Sequence, residues 1–158
     1  MFLNGIVVRI IIFISIIFFA FISCTSLDKT IEKQIGIDVS KCTISEEKDT
    51  HGGFLGDGDY YAIFDCSKNK NYILEHLNTW NKLPLSKNIE FAVSKYTDID
   101  ISKINNGYYY FIDRYAVEYK DIKDIHSDEK LLDRYAFNFT IAIYDSDTNM
   151  LHYYELDT

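Results

Sequence analysis

The clearest pattern in the chain lies near its C-terminal end. Across 136–145, Phe137, Phe139, Ile141 and Ile143 alternate with Asn138, Thr140, Ala142 and Tyr144. A period of two places the two sets on opposite faces of a strand. The polar run 146–149 (SDTN) turns the chain, and 150–156 (MLHYYEL) returns, which predicts an antiparallel hairpin. Apolar and aromatic runs at 60–66 (YYAIFDC) and 108–113 (YYYFID) predict two more strands, the second preceded by an Asn106-Gly107 turn. Residues 37–44 (IDVSKCTI) alternate weakly and predict a first strand. The period changes at 70–80, where Ile73, Leu74, Leu77 and Trp80 share one helical face. Pro84 closes that helix, because the residue before a proline avoids the helical region. Residues 87–96 fit both periods, and Ile89, Ala92, Val93 and Tyr96 favour helix. Residues 118–130 form a charged excursion in which Ser127 is placed to cap a short helix, with Asp128 and Glu129 in its first turn. The elements sum to an α+β domain: an antiparallel sheet of four to five strands with one or two helices packed on one face.

The N-terminal pattern is different in kind. Residues 10–22 (IIIFISIIFFAFI) are apolar except for Ser15. A helix of that length spans about 20 Å, against a bilayer core of roughly 30 Å. Extending the run back to Ile6 would bury Arg9. The stretch therefore reads as the apolar region of a signal peptide rather than an uncleaved anchor. Its end, Phe21-Ile22-Ser23-Cys24, resembles a bacterial lipobox, with Phe21 where an aliphatic residue is usual. The resemblance implies cleavage before Cys24 and a diacylglycerol on its thiol. The chain then divides into a lipoprotein signal peptide (1–23), a polar tether (24–36) and one globular domain (37–158). A lipid anchor would place the domain on the extracytoplasmic face of the cell membrane.

Charge and cysteine usage narrow the partners. The formal net charge of the chain is −8, and Arg9 is the only charged residue in 1–23, so the mature chain carries −9. Such an acidic balance argues against nucleic acid, which attracts basic patches. Of three cysteines, Cys42 and Cys66 remain once Cys24 is assigned to the lipid. Outside the cell they are a candidate disulfide, with two free thiols as the alternative.

Residues 50–60 (THGGFLGDGDY) hold four of the seven glycines beside His51, Asp57 and Asp59. A phosphate-binding P-loop needs Lys and Ser or Thr after its last glycine, and Asp59 and Tyr60 stand there. A dinucleotide loop must open a helix, and a strand pattern follows. An HGG oxyanion hole needs a G-x-S-x-G elbow, which the chain lacks. Neither 98–109 nor 145–156 has the glycine and glutamate of a calcium loop. One histidine and two carboxylates are suitable ligands for a divalent metal, the single cofactor candidate in the chain. The simpler reading is a turn whose glycines let the backbone bend while Asp and His hydrogen-bond to it. His76, His126 and His152 stand alone and read as surface or edge residues. Tyr108, Tyr109, Tyr110 and Phe111 must put rings on both faces of their strand, and an exposed face would offer a stacking surface to a glycan or protein partner.

Several stretches together, IDVS (37–40), DTHGGFLGDG (49–58), LPL (83–85) after Trp80, NGYYYFIDR (106–114) and RYAFNFTIAIYDSDTNMLHYYELDT (134–158), resemble a family of small proteins of Gram-positive bacteria, often lipoproteins. The resemblance implies no activity. That family's loop reads HGGFHGDG, and Leu55 stands here in place of its second histidine. The expected function is that of a lipid-anchored extracytoplasmic binding or interaction module. Two alternatives differ in class: a small hydrolytic or metal-dependent enzyme using His51, Asp57 and Asp59, and an immunity or inhibitor lipoprotein whose acidic face blocks a basic toxin.

Overall fold

A computed structural model describes residues 27–52, 57–120 and 124–158. Its architecture is α+β, built on one antiparallel sheet of six strands. In chain order the elements are α1 (Leu27–Ile35), β1 (Thr43–Asp49), β2 (Gly58–Asp65), α2 (Lys70–His76), β3 (Asn81–Lys82), α3 (Lys87–Tyr96), β4 (Gly107–Asp113), α4 (Arg114–Tyr119), β5 (Phe139–Asp145) and β6 (Met150–Asp157). The strands lie in the order β1-β2-β6-β5-β4-β3.

The C-terminal hairpin forms the middle of the sheet. β5 pairs with β6 from Phe139 opposite Leu156 to Asp145 opposite Met150. Every residue of β5 is buried, and its alternation feeds two cores. Ala142 and Tyr144 join Tyr60, Ala62, Phe64, Leu151 and Tyr153 on the first face, covered by Ile31 and Ile35 of α1 and Ile73 of α2. Phe139, Ile141 and Ile143 join Tyr61, Phe111, Tyr154 and Leu156 on the second face, covered by Ile89, Ala92 and Val93 of α3. Helices therefore pack on both faces of the sheet rather than one. A central strand with apolar residues on both sides leaves neither face fit for water, and each needs its own cover.

Three expectations are corrected. The sheet has six strands, more than the four to five expected, because both edge strands lack an apolar pattern. β1 (TISEEKD) is exposed at every position, and β3 is two residues long, pairing only with Tyr108 and Tyr109. The weak alternation of 37–44 belongs to something else. Ile37 and Val39 are buried in the first-face core, next to a 3-10 turn at Val39–Lys41 that Asp38 caps. The segment read as a tether is helical from Leu27, and Ile31 and Ile35 sit in the same core. Its apolar residues at i and i+4 are one turn apart on a single face, enough to dock a short helix.

α4 lies where a charged excursion was expected to begin. Asp113 caps it, accepting from the Ala116 N–H at 2.9 Å. The same carboxylate holds Arg134 through Nη2 at 2.7 Å and Nε at 3.2 Å, with side chains 1% and 5% exposed. At Ser127, Oγ accepts from the Glu129 N–H at 3.3 Å, but the turn leads into a 3-10 segment at Leu131–Asp133 rather than a helix. Cys42 and Cys66 form a disulfide that ties the start of β1 to the end of β2, Cα–Cα 4.5 Å. Among the described residues no helix is long and apolar enough to cross a membrane. Cys24 and the signal sequence lie outside the described residues.

Candidate functional site

The glycine loop is the connection of the β1–β2 hairpin, since Asp49 pairs with Tyr60 at its base. Gly53, Phe54, Leu55 and Gly56 lie outside the described residues. Gly58 is explained by a close approach: a Cβ there would meet the His51 Cα and N at 2.7 Å. The glycine lets the far side of the loop fold flat against His51.

His51, Asp57 and Asp59 are given separate surroundings. His51 Nδ1 lies 2.8 Å from Asp49 Oδ1, which also accepts the His51 backbone N–H at 2.9 Å. His51 Nε2 lies 3.2 Å from Asp157 Oδ2. Both ring nitrogens can donate at once only in the imidazolium. The bond to Asp49 is the main cause of a raised His51 pKa; burial opposes it, and the bond to Asp157 adds a smaller rise. In return, His51 lowers the pKa of Asp49, its backbone N–H first. Asp157 also binds Arg114 Nη2 at 2.9 Å, and Arg114 reaches Glu155 at 2.6 Å and the Leu156 carbonyl at 2.7 Å. The Tyr153 hydroxyl, with one proton to share, lies between Glu155 at 2.8 Å and the Gln34 carboxamide of α1. This network ties the loop, β6, α4 and α1 together on the first face.

Asp59 faces the other way. Its carboxylate accepts from the Tyr154 hydroxyl at 3.0 Å and from the Thr50 hydroxyl, and Tyr154 belongs to the second-face core. Asp57 is exposed. Residues close in sequence are thus divided between faces by the pleat of β2. Among the described residues no group of three or more His, Cys, Asp and Glu side chains is placed to hold a metal ion. Each ring nitrogen of His51 faces a carboxylate, and neither is turned toward Asp57 or Asp59.

A second polar constellation lies at the open edge of β4. β3 covers only Tyr108 and Tyr109. Beyond it, residues 124–126 satisfy the edge: the Asp113 N–H donates to the Ile125 carbonyl at 2.8 Å, and His126 Nδ1 lies 2.8 Å from the Phe111 carbonyl. Between these segments is a cleft of about 490 Å³ lined by Thr79, Asn81, Tyr110, Phe111, Asp124 and His126. The Phe111 ring is buried in the second-face core, so Phe111 meets the cleft through its main chain. The Tyr110 ring is held between Trp80, centroids 5.6 Å apart, and His126, 4.9 Å apart. Burial raises the Tyr110 pKa and keeps its phenol neutral. Asp124 Oδ1 accepts the His126 backbone N–H at 2.9 Å.

Of this cleft the aromatic run at 108–111 marks only Tyr110 and Phe111. Tyr108 and Tyr110 turn to the first face, while Tyr109 and Phe111 enter the second-face core. Asp124 and His126 carry no sequence signal, because the main-chain bonds that bring them to β4 span more than ten residues. His152, also alone in sequence, is largely buried; burial lowers its pKa, and Nδ1 lies 3.4 Å from the Tyr61 hydroxyl. Comparison of the chain with known protein families, curated proteins and solved structures finds no match.

Proposed function

We propose that the chain is a lipid-anchored extracytoplasmic protein that acts as a binding module, taking a small hydrophilic ligand in the cleft at the open edge of β4. The cleft itself carries the reading. It joins the ring and phenol of Tyr110 to an imidazole, a carboxylate, a carboxamide and a hydroxyl in about 490 Å³, the mixture of apolar surface and convergent polar groups that ligand sites use. The state of His51 favours binding over hydrolysis, since both of its nitrogens face carboxylates.

The anchor rests on the lipobox-like Phe21-Ile22-Ser23-Cys24. Cys24 stands three positions before Leu27, the first residue of α1, at most about 10 Å of extended chain, so a lipid on Cys24 would hold the domain close against the membrane. Cys24→Ser is expected to release the protein from membranes or to stall its precursor, and unchanged membrane association would overturn the anchor.

The binding reading is tested by titrating the detergent-solubilised full-length chain with a panel of monosaccharides, free amino acids and polyamines, followed by amide NMR shifts. Saturable shifts confined to Tyr110, Phe111, Asp124 and His126 are expected for at least one class. Shifts elsewhere only, or none, would overturn the cleft as the binding site.

A further inference from the structure

Resting on that reading of the cleft, the geometry points to a ligand that presents a protonated amine. Chemical polarity decides it. The Nδ1–H of His126 is committed to the Phe111 carbonyl at 2.8 Å, so in the neutral ring Nε2 is left as an acceptor. Nε2 lies toward the Tyr110 hydroxyl, 3.5 Å away at the limit of a hydrogen bond. Asp124 uses Oδ1 for the His126 N–H, and its other oxygen has no hydrogen-bond partner among the described residues. Asn81 adds a carboxamide oxygen. Among the described residues that line the cleft there is no lysine or arginine. An anion would meet the Asp124 carboxylate with no cation among those residues to offset it. An ammonium group brings three donors and no acceptor, and the cleft offers a carboxylate oxygen, an imidazole nitrogen and a phenol oxygen.

Two features make this a formed site rather than a chance meeting of acceptors. Trp80 packs on Tyr110 from the core side and is 6% exposed, which fixes the phenol. The bond from the Asp113 N–H to the Ile125 carbonyl fixes the segment carrying Asp124 and His126 along β4. The chain's charge of −8 adds a field that draws cations toward the surface and repels anions.

The test uses two probes of one skeleton, Nα-acetyl-lysine methylamide and its Nε-acetylated counterpart, titrated into the full-length chain by amide NMR. The free amine is expected to shift Tyr110, Asp124 and His126 saturably, and the acetylated probe to bind at least tenfold more weakly. Asp124→Asn keeps an oxygen for the His126 N–H and removes only the charge; it is expected to weaken the amine tenfold or more with the spectrum otherwise unchanged. Equal binding of both probes in the cleft would overturn the amine while leaving the cleft as a binding site. No response to the free amine would also overturn it, and the wider ligand panel then decides the cleft independently. Full affinity in Asp124→Asn would remove the carboxylate from the recognition and overturn the inference in that form.

Discussion

His51 and His126 are both histidines in connections at the margin of the sheet, and both meet polar groups of its first face. Their second nitrogens separate them. His51 Nε2 faces Asp157, so the ring lies between two carboxylates that favour its cation and raise its pKa. His126 Nε2 faces a phenol across a cleft, and its other nitrogen is spent on a main-chain carbonyl. One ring closes an ionic network; the other leaves an acceptor open to a ligand. The glycines and acids around His51 make it conspicuous in sequence, yet those same acids engage it. A histidine's role follows from what stands opposite each nitrogen, and sequence neighbours do not decide that.

The largest effect lies at the Asp113–Arg134 pair, at the end of β4 whose main chain binds residue 125. Asp113→Ala removes the buried carboxylate that holds Arg134 and the cap of α4. It is expected to cost about 3–5 kcal/mol in urea unfolding, and a loss below about 1 kcal/mol would show that this pair does not hold the scaffold behind residues 124–126. On the other side, Gly58→Ala drives a Cβ into the His51 backbone. A cost of about 1–3 kcal/mol is expected, with faster amide exchange at Thr50 and His51; a more stable protein would break the account of the loop.

His51→Gln should act through pH. The His51 pKa is raised above its ordinary 6.5, so its contribution is complete below that value and is lost as pH rises through the raised one. Wild type should exceed the variant by about 1 kcal/mol at pH 5, with the difference shrinking toward pH 8. A difference that grows with pH would mean that the ring is held neutral. His126→Gln is the smallest in stability, within about 0.5 kcal/mol as expected for an exposed side chain, yet it should abolish the amine-probe shifts at the cleft. A large loss of stability with binding intact would reverse the roles of the two histidines.

Much of the fold is legible in the chain. The alternation of 137–144 predicts the strand that proves central, and the opposed sets Phe139, Ile141, Ile143 and Ala142, Tyr144 enter different cores as their period requires. The helices near 70–80 and 87–96 follow from Ile73, Leu77, Ile89 and Val93, since a buried helical face must repeat at 3.6 residues. β1 escapes because an edge strand exposed at every position buries nothing and needs no alternation. α1 is hidden because two isoleucines one turn apart suffice to dock it, too few to stand out as a pattern.

The candidate sites are less legible. The chain itself names His51, Asp57 and Asp59, and it places Tyr110 in an aromatic strand. Only tertiary structure turns Asp59 to one face and His51 toward the other, brings Asp157 to a ring 106 residues away, and lays Asp124 and His126 along β4. Periodicity decides local structure because burial of a repeating face is a local demand. A site is a convergence of groups from distant positions, set by strand order and by backbone bonds between elements, and no local pattern records it.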